Sequence, residues 1–212
     1  MSFVAGSLRP TVLSYEKPIE IKRRPWQRRI EVYSPKLKRR LTFFSSAGHD
    51  AWLLLEADPA VKIFCERPAY VEGGAGRLID FWVSRGRHAK FWVLWPSELE
   101  KPAFPKSAHG VSLQVLRRAD LMALDQRIHN WSQIVPYRVS FGRYGNARLQ
   151  KDILSRLEKP HRLERLEAAF QPLDVTAVRA ALFELLATGK IIAPELDSKP
   201  LGLTTMFRRP SQ

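Results

Sequence analysis

Asp80 stands in the run Leu78-Ile79-Asp80-Phe81-Trp82-Val83, a lone carboxylate set into an apolar strand. Metal-assisted phosphodiester hydrolysis uses such a group: two acids hold a magnesium ion through oxygen ligands, and a lysine positions or activates the attacking water. Side chains alternate along a strand, so Glu-x-Lys on the adjacent strand would bring the second acid and the lysine to one face. The next strand-like run reads Lys90-Phe91-Trp92-Val93-Leu94-Trp95, apolar where that chemistry needs charge. One carboxylate without partners holds magnesium poorly.

The elements that must position Asp80 follow from pattern. Arg40-Leu41-Thr42-Phe43-Phe44 predicts a short strand, after which Ser45 and Ser46 can cap a helix carrying Ala51, Trp52, Leu53, Leu54, Leu55 and Glu56. Asp58-Pro59 stops it. Strands are predicted over 61–65, 68–72, 78–83 and 89–95, separated by Gly73-Gly74-Ala75-Gly76 and Ser84-Arg85-Gly86-Arg87. Residues 96–110 hold Pro96, Pro102 and Pro105 and read as a loop. Residues 111–116 alternate at strand period, and 119–134 reads as a helix that closes an α/β unit.

Charge points to a polyanionic partner. The 212 residues carry 35 Lys and Arg against 21 Asp and Glu, a net charge of +14. Residues 1–40 form a basic N-terminal arm that includes Lys22, Arg23, Arg24, Arg28, Arg29, Lys36, Lys38, Arg39 and Arg40, with Trp26 and Tyr33 interleaved. That mixture suits a segment that tracks a nucleic-acid backbone. Prolines 18, 25 and 35 break it, which argues against a membrane-surface helix. No stretch has signal-peptide or membrane-span character, so a cytoplasmic location is expected. The single cysteine, Cys65, reads as a small core residue, and no Cys/His grouping has zinc-ligand spacing.

Beyond Gly142, Gly145 and Asn146, three helices are predicted over 148–159, 162–170 and 175–186, followed by strand-like 191–193 and 203–207 around a tip at 197–200. Three helices and a hairpin predict a winged-helix domain over 146–212. Its third helix would present Thr176 and Arg179 to a DNA groove, with Lys199, Arg208 and Arg209 near phosphates. A protein-docking winged helix is the alternative, because that helix offers few basic residues.

Ala51-Trp52-Leu53-Leu54-Leu55-Glu56-Ala57-Asp58-Pro59, then Phe64-Cys65-Glu66-Arg67-Pro68, then Ile79-Asp80-Phe81-Trp82-Val83 together resemble the TnsA family of transposon end-cleaving endonucleases. Ala119-Asp120-Leu121 through His129-Asn130-Trp131 is similar to the family's closing helix. The resemblance implies a restriction-endonuclease-like α/β core over 41–145, a mixed sheet flanked by helices, followed by the winged helix. It also implies a mobile-element setting. Carried over residue by residue, the family's early glutamate falls on Gly48, its aspartate on Asp80, and its Glu-x-Lys on Val93 and Trp95. Only Asp80 keeps its role.

The expected function is therefore a catalytically silent, TnsA-like protein that binds double-stranded DNA and works beside a transposase or another DNA-processing protein, with no cofactor. One alternative is an active magnesium-dependent endonuclease with relocated ligands, drawn from Asp50, Glu98, Glu100 and Lys101. Lys90 has the wrong parity for that role relative to Val93 and Trp95. Another is an inhibitor or assembly factor docking through Phe91, Trp92 and Trp95. Asp80 is expected to cap a turn or to pair with Arg77, Arg85 or Arg87.

Overall fold

Alternation in Ile30–Ser34 (β1) and Arg39–Phe43 (β2) makes an antiparallel hairpin that buries Leu41 and Phe43. The computed structural model describes residues 15–22, 25–72, 76–97, 104–141 and 146–211. The last part of the segment read as an arm, from Ile30 onward, is thus a β hairpin. Ser45 then caps helix α1 (Ser46–Ala57) by accepting from the Gly48 N–H at 3.1 Å. Its apolar run from Ala51 to Leu55 is buried on every side, so α1 is a central helix.

Strands β3 (Ile63–Glu66), β4 (Phe81–Arg85) and β5 (His88–Trp95) form an antiparallel meander. Strand β7 (Val111–Arg117) runs parallel to β5, and the short β6 (Ser107–Ala108) pairs antiparallel with β7. The five-stranded order is β3-β4-β5-β7-β6. A parallel pair requires a crossover connection; between β5 and β6, residues 104–106 are described and are not helical. The strand expected over 68–72 is reduced to one bridge, Tyr70 to Leu78, flanked by the hydrogen bonds Val71 N–H to Arg77 O at 2.8 Å and Ile79 N–H to Ala69 O at 2.9 Å.

Period-two alternation splits the sheet into two faces. Phe64, Phe81, Val83, Trp92 and Leu94 pack towards the helices. Cys65, Trp82, Phe91 and Val93 face the other way, where Tyr15 covers Trp82 and Phe91 at ring distances of 5.9 and 5.4 Å. Burial pushes the Cys65 thiol up to about 11, in keeping with a core residue.

The predicted helix over 119–134 is two helices, α2 (Arg118–Met122) and α3 (Asp125–Phe141). They are followed by α4 (Ala147–Arg156), β8 (His161–Arg162), α5 (Leu163–Ala169), α6 (Val175–Ala187), a 3-10 turn at Pro194–Asp197, and β9 (Met206–Phe207), which pairs with β8. Helix α3 packs against both α1 and α6, and one apolar cluster runs from Leu41 through Ile134 to Phe207. Packing is therefore continuous across residue 145. Among the described residues, no helix is long and apolar enough to cross a membrane.

Candidate nucleic-acid cleft

Asp80 sits where sheet alternation slips. Ile79 and Trp82, three positions apart, both belong to the outer cluster, while Phe81 faces the helices. Asp80 N–H donates to Trp92 O at 3.0 Å although Trp92 is paired with Phe81, so two residues of one strand oppose one of the next. That is a bulge, the device that re-aims a side chain at a strand end. It turns the carboxylate towards β5, where Oδ2 accepts from the Leu94 N–H at 2.7 Å. The side chain takes over a ladder position of the sheet.

Arg77 supplies the ion pair expected for Asp80. Its Nη2 donates to Asp80 Oδ2 at 3.0 Å and to Leu94 O at 2.7 Å. Arg85 pairs with Asp58 instead, at 3.0 Å. Burial pushes the Asp80 carboxyl up to about 6, against the pull of Arg77 and the Leu94 N–H.

Asp80 and Arg77 lie in a cleft of about 720 Å³ between the first turn of α1, the C-terminal end of β5 and α2. Gly48 and Trp95 line it too, so three of the four positions carried over by resemblance share one cavity. Val93 does not: it is fully buried on the opposite face of the sheet. Leu94 occupies the cleft wall in its place, because the bulge shifts the register by one. In either register β5 offers only apolar side chains from Phe91 to Trp95. A Cβ at Gly48 would lie 3.2 Å from the Ser45 Oγ that caps α1, so a larger side chain there presses on the cap.

Other acids reach the cleft, namely Asp50, Glu66 and Asp125. Glu66 is committed: Arg39 grips both its oxygens at 2.8 and 2.5 Å. Among the described residues, no three His, Cys, Asp or Glu side chains are grouped so as to hold a metal. Glu98, Glu100 and Lys101 lie outside the described residues, and Lys90 is exposed at the far end of β5.

The basic residues divide sharply. Lys22, Arg28, Lys38 and Arg40 are exposed, with no side-chain ion pair among the described residues. Ile21 and Gln27 line the cleft, and the exposed Lys22 and Arg28 are their chain neighbours. Arg29 is exposed and paired with Glu31 at 2.5 Å. Arg23 and Arg24 lie outside the described residues. Two members of the predicted arm are internal: Arg39 holds Glu66, and Lys36 Nζ donates to Leu55 O at 2.6 Å and Asp58 O at 2.5 Å, satisfying the C-terminal carbonyls of α1. Burial pushes the Lys36 ammonium down to about 8. Arg118 in the cleft wall is exposed; the sequence offered no sign of it beyond its charge.

In the C-terminal half the predicted reading helix is an internal one. Eight of the 13 residues of α6 are buried. Arg179 donates to Glu167 at 2.6 Å and to the Tyr137 hydroxyl at 3.1 Å, and the half-buried Thr176 N–H caps onto Asp174 at 2.8 Å. Helix α6 packs against α3, α4 and α5. Lys199 pairs with Glu195 at 2.7 Å, Arg208 Nη1 donates to Ser211 at 3.2 Å, and Arg209 donates to Leu154 O at 3.0 Å. Exposed Lys199 and Arg209 keep contact with solvent.

The docking strand expected at Phe91, Trp92 and Trp95 is not a surface: Phe91 and Trp92 are buried, and Trp95 is half-buried with its ring edge-on to Phe104 at 5.5 Å. In comparisons with known proteins, no family model and no curated protein matches this chain.

Proposed function

We propose that this chain is a DNA-binding protein on a TnsA-like, restriction-endonuclease-like scaffold, which grips duplex DNA over the Asp80 cleft and does not cut it. The observation that carries this reading is the state of Asp80. Its Oδ2 already takes Arg77 and the Leu94 N–H, and the adjoining strand brings no acid, while its one lysine, Lys90, is exposed at the far end of the strand. Hydrolysis through magnesium would need several oxygen ligands and a positioned lysine placed to a fraction of an ångström. Net charge of +14 and the exposed cations Lys22, Arg28, Lys38, Arg40 and Arg118 support a phosphate backbone as ligand.

A salt titration of duplex binding tests it. If roughly 5 phosphates are neutralised, log K falls with log salt at a slope of about −4 to −5 on B-DNA. A slope near zero removes nucleic acid from the account. The active-nuclease alternative is tested on supercoiled plasmid with magnesium or manganese: cleavage that Asp80→Ala abolishes overturns the silent reading.

For the C-terminal half, read as a winged-helix module, protein docking is favoured over base reading. Arg179 is tied internally, while Leu173 and Val175 at the start of α6 are 48% and 39% exposed. The partner class would be a transposase or another DNA-processing protein. Leu173→Asp with Val175→Asp should abolish a nuclease-resistant complex and spare DNA affinity.

A further inference from the structure

We infer that Arg77 is the phosphate-binding group of the cleft floor, a guanidinium seated on Asp80 in the manner of a fixed cation, and that its ligand is one phosphodiester of the nucleic-acid backbone. The inference rests on the DNA-binding reading and gives its cleft a named anchor. Two contacts pin the guanidinium through Nη2, to Asp80 Oδ2 at 3.0 Å and to Leu94 O at 2.7 Å, and the Leu94 N–H holds the same Oδ2 at 2.7 Å. Arg77 Nε is buried and has no acceptor among the described residues. Yet 35% of the side chain is exposed, and it lines the 720 Å³ cleft.

With Nη2 spent on Asp80 and Leu94 O and Nε buried, the planar group is held in one orientation and leaves Nη1 as the donor nitrogen for a phosphate oxygen. A guanidinium stays charged at any working pH, so the contact requires neither a divalent ion nor acid. Asp80 cancels the Arg77 charge at a distance, so the pair aims a phosphate more than it attracts one. Attraction over longer range comes from Lys22, Arg28 and Arg118. Asp50 and Asp125 line the same cavity and repel an anion that approaches them.

The experiment compares variants in the Asp80→Asn background, so that no unpaired buried carboxylate remains. Duplex affinity is measured by fluorescence anisotropy across a salt series, once in EDTA and once in magnesium, with thermal melting of each variant alongside. Relative to Asp80→Asn alone, adding Arg77→Ala should weaken binding about tenfold and reduce the salt slope by about 1. Adding Arg77→Lys should restore the slope and only part of the affinity, since it keeps the charge and loses the fixed planar orientation. EDTA should change none of these values. Equal affinity and slope with and without Arg77, or wild-type binding that requires magnesium, overturns the inference. Wild-type protein that binds no duplex at low salt removes the DNA-binding reading itself, and this inference with it.

Discussion

Arg138 reaches Glu56 across 82 residues of sequence through a 3.1 Å contact between side chains that are 3% and 0% exposed. Glu56 lies on α1, Arg138 on α3, and the arginine continues to Glu184 on α6 at 2.9 Å. Ser34 and Trp52 supply further hydrogen bonds to the buried carboxylate. The α/β core and the C-terminal helices are thereby joined by a charged tie as well as by apolar packing.

Breaking that tie from one side should be severe. Arg138→Ala leaves the Glu56 carboxylate buried without its cation, and the expected loss is about 3–5 kcal/mol in chemical denaturation. Replacing the pair, Arg138→Met with Glu56→Leu, removes both desolvation penalties and should recover most of it. A double variant as unstable as the single one would show that the hydrogen bonds from Ser34 and Trp52, and not the ion pair, set the stability.

Asp80 should make the fold less stable as pH rises. Its pKa is raised to about 6, so between roughly pH 4 and 6 the folded chain holds a proton that the unfolded chain has released. Stability then falls through this window and levels off above it. The side chain is 29% exposed, so we expect about 2 kcal/mol across the window. Subtracting the pH profile of Asp80→Asn from that of the wild type isolates the effect, and a flat difference contradicts it.

The partition of basic residues predicts a partition of phenotypes. Lys22→Ala with Arg28→Ala should weaken duplex binding and reduce the salt slope by about 2. Thr176→Ala and Arg179→Ala should leave both unchanged. If Arg179→Ala weakens binding in a folded protein as strongly as the Lys22 and Arg28 variants do, α6 reads DNA after all.

Asn130 fixes the segment that follows α6. Its side chain donates to Leu196 O and Lys199 O, each at 2.8 Å, and accepts from the Leu201 N–H at 2.8 Å. Asn130→Ala strands these buried groups and should cost about 1–3 kcal/mol. Hydrogen exchange at the Leu201 amide should rise more than at the centre of α1; equal changes would mean global loosening alone.

Local patterns could be read directly from the sequence. The Ser45 and Asp174 caps, the buried run of α1, the apolar character of β5 and the isolation of Asp80 depend on neighbours a few residues away, and the structure agrees with each. Sequence by itself also determined the strong positive charge and the lack of Glu-x-Lys on the strand beside Asp80. Only tertiary structure decided which cations are free. Lys36, Arg39 and Arg179 have the same composition signal as Lys22 and Arg28, but their partners stand 12 to 42 positions away and are brought near by folding. The bulge that moves Leu94 into the place expected for Val93 is likewise invisible to strict alternation, because one extra residue reverses which face every later side chain meets. Side-chain pairing over long sequence separations is set by packing of whole elements, and that is why the internal partners of Arg179 were not legible in the sequence.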